Sequence, residues 1–133
     1  EATLEFFSEC RRGTFRPHIS AVVLNEVRQA RREVQEHILS LIADIGPETL
    51  DVPAEADFLA QQFIETGVLS AGRLDDARHV ACAIVEELDM LVSWNYRHIA
   101  NVRKAERFLA VAVLNGRHSM LSIHTPLEVL EWK

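Results

Sequence analysis

Apolar positions along the chain change period several times, and each change marks an element. Residues 3–13, "TLEFFSECRRG", have the spacing of a short amphipathic helix, closed by Gly13. "TFRPHIS" follows as an extended run, with Pro17 holding His18 and Ile19 at a strand or its entry. Ser20 is placed to cap a helix, because its hydroxyl can accept from the free amides of the first turn. That helix, "AVVLNEVRQA", continues or restarts through "REVQEHILSLIADI" until Gly46-Pro47 ends it.

The second half repeats the alternation. "TLDVP" is a brief strand, and a helix runs from about Ala54 to Thr66. In "LDDARHVACAIVEEL", Ala77, Val80, Ala81, Ile84, Val85 and Leu88 fall at helical spacing. "MLVSW" is a buried strand, "VRKAERFLAVAVLNG" a helix stopped by Gly116, and "SMLSIHT" the last strand. "PLEVLEW" is a final helical turn with Pro126 at its start. Helices between short apolar strands predict an α/β domain with a mainly parallel sheet, whose sites form beyond the carboxyl ends of the strands. The segments from Ser20 to Glu26 and from Ser93 to His98 both follow strands and fall on that side.

Two kinds of polar residue interrupt the apolar stripes. Ile19, Val22, Val23, Val27 and Ala30 define an inward stripe, and Glu26 lies on it by spacing. A lone carboxylate out of water needs a partner or a cation, so Glu26 is a rim residue paired with an Arg, a side chain bent outward, or a ligand. Asp76 sits at the edge of the next apolar face, while Asp75 is turned about 100° further toward solvent. Both also suit the first turn of a helix, where the dipole favours acids. His79, one turn on, is a structural hydrogen-bonder or a ligand. Asn95 ends the strand run as a turn residue or as a side chain aimed at the same rim. Glu26, Asp76 and Asn95 come from three segments that an α/β sheet can bring together, and oxygen donors suit Mg²⁺ or Mn²⁺ rather than zinc.

Composition narrows the classes. The 133 residues fit one domain, and 48% hydrophobic with 26% charged is a globular balance. No apolar run approaches the ~20 residues of a membrane span, and no stretch reads as a signal peptide. Cys10 and Cys82 lie far apart without metal-ligand spacing and read as reduced thiols of a cytoplasmic protein. The net charge of −6 argues against a generally basic nucleic-acid binder. Cations do cluster at Arg11, Arg12 and Arg16, at Arg28, Arg31 and Arg32, and at Arg97, Arg103, Lys104 and Arg107. These are solvated helix faces or RNA contacts. Phe6, Phe7, Phe15 and the Leu-rich stretch at 38–42 supply a core or an interface.

"ISAVVLNEVRQA", "LDDARHVACAIVEELDMLVSWNYRHIANV" and "IHTPLEVL" resemble PIN-domain proteins, and in particular the toxin ribonucleases of bacterial virulence-associated toxin–antitoxin pairs. The resemblance implies a single PIN-like domain over 1–133, a three-layer α/β/α sandwich with a mainly parallel central sheet. It implies RNA cleavage with Mg²⁺ or Mn²⁺ held by three or four acids. Glu26 matches the second family acid and Asp76 the third. Asn95 stands where many members carry a fourth Asp, and Ser93 is the small hydroxyl residue two before it. The family's first acid lies on a central strand ahead of the first helix, and the sequence begins at that helix, so a strand upstream of Glu1 is expected. Ser20, Ser93, Arg97 and His98 are candidate substrate contacts. An antitoxin partner and a homodimer are implied; a membrane is not. The alternatives are a catalytically degenerate PIN-like module that binds RNA or protein, and a helix-rich interaction domain with Glu26 and Asp76 in ordinary ion pairs.

Overall fold

The computed structural model describes residues 2–95 and 97–131; Tyr96, and Trp132 at the expected end of the last helix, lie outside the described residues. Helices and three-residue strands alternate: α1 (Ala2–Arg11), β1 (His18–Ser20), α2 (Ala21–Arg28), α3 (Arg32–Ile45), β2 (Glu48–Leu50), α4 (Ala54–Glu65), α5 (Leu74–Val85), β3 (Met90–Val92), α6 (Val102–Leu114), β4 (Ser122–His124) and α7 (Pro126–Leu130). A 3₁₀ turn at Ala71–Arg73, which no periodicity announced, leads into α5. The expected order of elements is present, and "REVQEHILSLIADI" restarts as a separate helix.

Strand pairing is parallel throughout the described residues. His18, Ile19 and Ser20 align with Glu48, Thr49 and Leu50. Met90, Leu91 and Val92 align with Ser122, Ile123 and His124. The fold class is therefore mixed helix and strand with short parallel strands. The single central sheet is not what the described residues form: they make two two-stranded sheets, β1–β2 and β3–β4. A strand needs a laterally bonded neighbour to extend a sheet, and each of these has one.

The core sits between α4, α5 and α6. Ala56, Leu59, Ala60 and Phe63 of α4 pack with Ala77, Val80, Ala81 and Ile84 of α5 and with Phe108, Val111 and Ala112 of α6. Leu91 of β3 and Ile123 of β4 close one side of it. Phe63 and Phe108 meet edge to face, with ring centroids 4.9 Å apart, a favoured aromatic geometry. Alanines recur at 56, 60, 77 and 81, all buried, and their small side chains let the two helices approach closely.

The helix ends follow local chemistry. Gly46 closes α3 at φ 56°, a left-handed conformation that glycine adopts without a Cβ penalty. Thr125 and Glu128 form a reciprocal capping box at α7, with Pro126 just inside it. That hydrogen bonding holds the Glu128 carboxyl below its ordinary range. Ser20 departs from expectation. It occupies the N-cap position of α2 in extended conformation, but its side chain makes no cap bond, and its buried Oγ has no hydrogen-bond partner among the described residues. Burial of the last residue of β1 has taken precedence over capping.

The aromatic residues of the first turns form a separate cluster. Phe6 lies 5.7 Å from Phe7 and 5.8 Å from Phe15, centroid to centroid. These rings are partly buried and stand apart from the main core, while α3 contains no fully buried residue.

Removing the Phe63 ring leaves a cavity against Phe108. Phe63→Ala is expected to lower unfolding stability by about 3–5 kcal/mol in urea denaturation. A loss under ~1 kcal/mol would mean that the ring does not occupy the core.

Candidate functional site

Two segments line one hollow, and a third touches its rim at Asp76. Glu26 comes from the last turn of α2, Asp76 from the first turn of α5, and Asn95 from the loop after β3. Ala77, immediately after Asp76, is fully buried, which seats the start of α5 against the core and leaves Asp76 at its rim. The Asp76 side chain is 17% exposed and that of Asp75 is 52% exposed, as the helical wheel predicts. Asp75 and Asp57 share Arg78, at 3.1 and 2.9 Å. The hydrogen bond that Arg78 donates to Asp57, and then the one it donates to Asp75, raise its pKa against the opposing effect of burial.

Glu26 corrects its sequence reading. Val22 and Val27 are buried, but Glu26 is exposed, with 49% of its side chain in solvent. It stands beside the inward stripe, and its partner is His79 rather than an arginine. His79 Nε2 lies 2.7 Å from Glu26 Oε1. This contact ties α2 to α5 across 53 residues of sequence. It also gives His79 a definite role, which spacing alone left open.

Asp76 has two neighbours. The amide of Asn95 donates from Nδ2 to Asp76 Oδ2 at 3.4 Å, and a guanidinium nitrogen of Arg73 lies 3.8 Å from the same oxygen. The Asn95 oxygen does not face the carboxylate; it accepts from the backbone N–H of His98 at 2.9 Å. Asn95 therefore positions Asp76, and its oxygen is engaged in the loop. The loop is tightly tied: the Asn95 N–H donates to Ser93 Oγ at 3.0 Å, and the Asn95 carbonyl accepts from Ala100 at 2.8 Å. The Ser93 N–H donates to the His124 carbonyl at 2.9 Å and extends the β3–β4 ladder by one bond. Ser93 thus shapes the turn, whereas Ser20 Oγ has no hydrogen-bond partner among the described residues.

Positive charge surrounds the acids. Desolvation pushes the His98 pKa below 6.5; Arg73, Arg97 and Lys104 push the same way, and Asp76 opposes them. His98 therefore stands within the fields of those three cations and of Asp76. Arg97 is exposed. Lys104 is anchored to the Val68 carbonyl. Arg73 is absent from the cation clusters that the sequence singles out, although its spacing of three residues from Asp76 is the signal that finds it. The thiols of Cys10 and Cys82 are buried, and burial pushes both pKa values up, so neither is an activated nucleophile.

Glu26, Asp75, Asp76, Arg73 and Arg78 line an open hollow of about 420 Å³. Among the described residues no three His, Cys, Asp or Glu side chains form a group that could hold a metal ion. Three carboxylates line the hollow, Glu26 from α2 and Asp75 and Asp76 from α5. Mg²⁺ characteristically uses one or two protein carboxylates and fills its remaining positions with water and substrate phosphate. No protein-family model matches the chain, and neither a curated protein nor a solved structure is similar to it. Among the described residues no helix is long and apolar enough to cross a membrane.

The charge arrangement predicts a coupling. His98 is expected to titrate below 6.5 by NMR, lower still in Asp76→Asn and higher in Arg73→Gln. Identical midpoints in all three proteins would show that the imidazole does not face these groups.

Proposed function

We propose that the chain is a metal-dependent endoribonuclease of the PIN type, acting as the toxin of a toxin–antitoxin pair in the cytoplasm. The observation that carries the reading is the convergence of Glu26 and Asp76, 50 residues apart in sequence, on one hollow flanked by Arg73. The motif resemblance adds the reaction class. In this reading β1–β2 and β3–β4 are the two halves of one parallel sheet in a three-layer sandwich.

Glu26 and Asp76 would hold Mg²⁺ or Mn²⁺. When bound, such an ion lowers the pKa of a coordinated water and offsets negative charge on the phosphoryl oxygens. Asn95 fixes the Asp76 carboxylate through its amide. Arg73 lines the hollow, and with Arg97 and His98 of the loop after β3 it would meet the RNA backbone, where cations position a strand without reading its sequence. His79 holds Glu26 until a ligand competes for that carboxylate. A homodimer and an antitoxin that covers the groove belong to the same proposal.

Glu26→Gln and Asp76→Asn are each expected to reduce Mn²⁺-dependent cleavage of RNA by roughly 100-fold or more while leaving the fold intact by circular dichroism. Cleavage that survives both substitutions, or that proceeds unchanged in chelator, contradicts the assignment. The second reading is a degenerate PIN-like module that binds RNA or protein. It is favoured by the pairing of Glu26 with His79 and of Asp76 with Asn95 and Arg73, which satisfies both acids internally. Calorimetric titration with Mn²⁺ separates the two. The nuclease reading expects binding that weakens in Asp76→Asn and strengthens in Asn95→Asp, which adds a charged donor. The module reading expects no carboxylate-dependent heat.

A further inference from the structure

Trp94 is an anomaly of the loop that carries Asn95. It is 47% exposed, although an indole ordinarily gains by burial. It is also firmly held. Its N–H donates to Thr3 Oγ1 at 2.9 Å. Its ring stacks on Phe7 at 22° between planes, centroids 6.5 Å apart, and meets Phe6 edge-on at 6.4 Å. Two aromatic contacts and a hydrogen bond to a helix 91 residues away fix the ring's direction while nearly half of its surface stays in water. The next residue, Asn95, touches Asp76. Beyond it come exposed Arg97 and then His98, within the field of Arg73, Arg97 and Lys104.

We infer that Trp94 is a stacking platform for one base of a single-stranded RNA, with Arg97 and Arg73 taking the adjacent phosphates as the strand passes toward Asp76. The inference rests on the nuclease reading for the identity of the ligand. The physical grounds are separate from it. A rigid, half-exposed aromatic face binds any base through its π surface, and guanidinium groups bind the backbone that links bases; Arg97 is exposed three residues further along the loop, and Arg73 faces Asp76, which Asn95 touches. A ring fixed in advance loses little entropy when a base lands on it. An indole that served only to pack α1 against the loop would have no use for its open surface. The overall charge of −6 makes this local combination of aromatic and cationic groups the favourable path for an anionic strand.

The test uses the full chain in chelator, so that binding is read without cleavage. The chain has two tryptophans and one tyrosine, and Trp132→Phe leaves Trp94 as the only tryptophan, read by excitation on the red side of tyrosine absorption. Titration with a short oligouridylate is expected to quench that emission saturably. Trp94→Leu, which keeps an apolar body against Phe6 and Phe7 but has no π face, is expected to weaken binding by about 10-fold. Trp94→Phe is expected to recover most of the affinity, which a merely structural role would not require. Arg97→Gln is expected to weaken binding and flatten its salt dependence. Should Trp94→Leu fail to fold, the quenching titration and the phenylalanine variant still decide. The inference is overturned if RNA binds without changing Trp94 emission, if Trp94→Leu binds like the parent, or if a duplex of the same length binds as tightly as the single strand. Mn²⁺-dependent cleavage that is intact in Trp94→Leu refutes the platform and leaves the nuclease reading standing. Trp94-dependent binding without any cleavage does the reverse.

Discussion

Helix α5 has almost no solvent side beyond its first turn. Ala77, Val80, Ala81, Cys82, Ala83 and Ile84 are all buried, with neighbours from α4 on one flank and from α2 and β3 on others. A helix packed on that many sides cannot rotate without opening the core, and protein interiors resist such changes because they are close-packed. The side chains at its exposed start inherit this rigidity. Asp76 is fixed by Ala77, and His79, one turn later, reaches Glu26 from the same helix. The candidate site is therefore assembled on a buried axle, with α2 and the loop after β3 brought up to it.

The two acids are held by different means. Glu26 is half exposed and meets an imidazole; Asp76 is mostly covered and meets an amide and a more distant guanidinium. Covered carboxylates are costly unless hydrogen-bonded, and the more covered of the two has more neighbours. Asn95 bridges the covered acid to the loop backbone, so the loop's geometry and the acid's geometry are one problem. A change at Ser93 or His98 would reach Asp76 through that bridge.

Periodicity read the elements well because most of them have one dominant face. Val80, Ala81 and Ile84 announced α5, and Gly46 with Pro47 announced the end of α3. The rim position of Asp76 and the outward turn of Asp75 followed from the helical wheel. Glu26 was harder. Its spacing put it on the apolar stripe, but α2 is only eight residues long and buries just Val22 and Val27, so the stripe is narrower than the pattern suggested. The partnership with His79 joins elements 53 residues apart and has no local signal. The same is true of strand pairing: the sequence marks each strand, but which neighbours bond is a long-range outcome, and it gave two separate pairs. Ser20 shows the remaining limit, since a residue suited to capping was instead buried at the end of a strand.

Helix α3 carries a different kind of consequence. It is the longest helix among the described residues, yet none of its side chains is fully buried. Its own ladder, partial contacts with α1 and α2, and the exposed pairs Arg11–Asp44 and Arg32–Glu36 hold it. Exposed pairs of this kind add little. Local opening of such a segment costs less than opening the core, so its amides should exchange with deuterium long before those of α5. A protease would find its first foothold there, and the α4–α5–α6 body would outlast the cut.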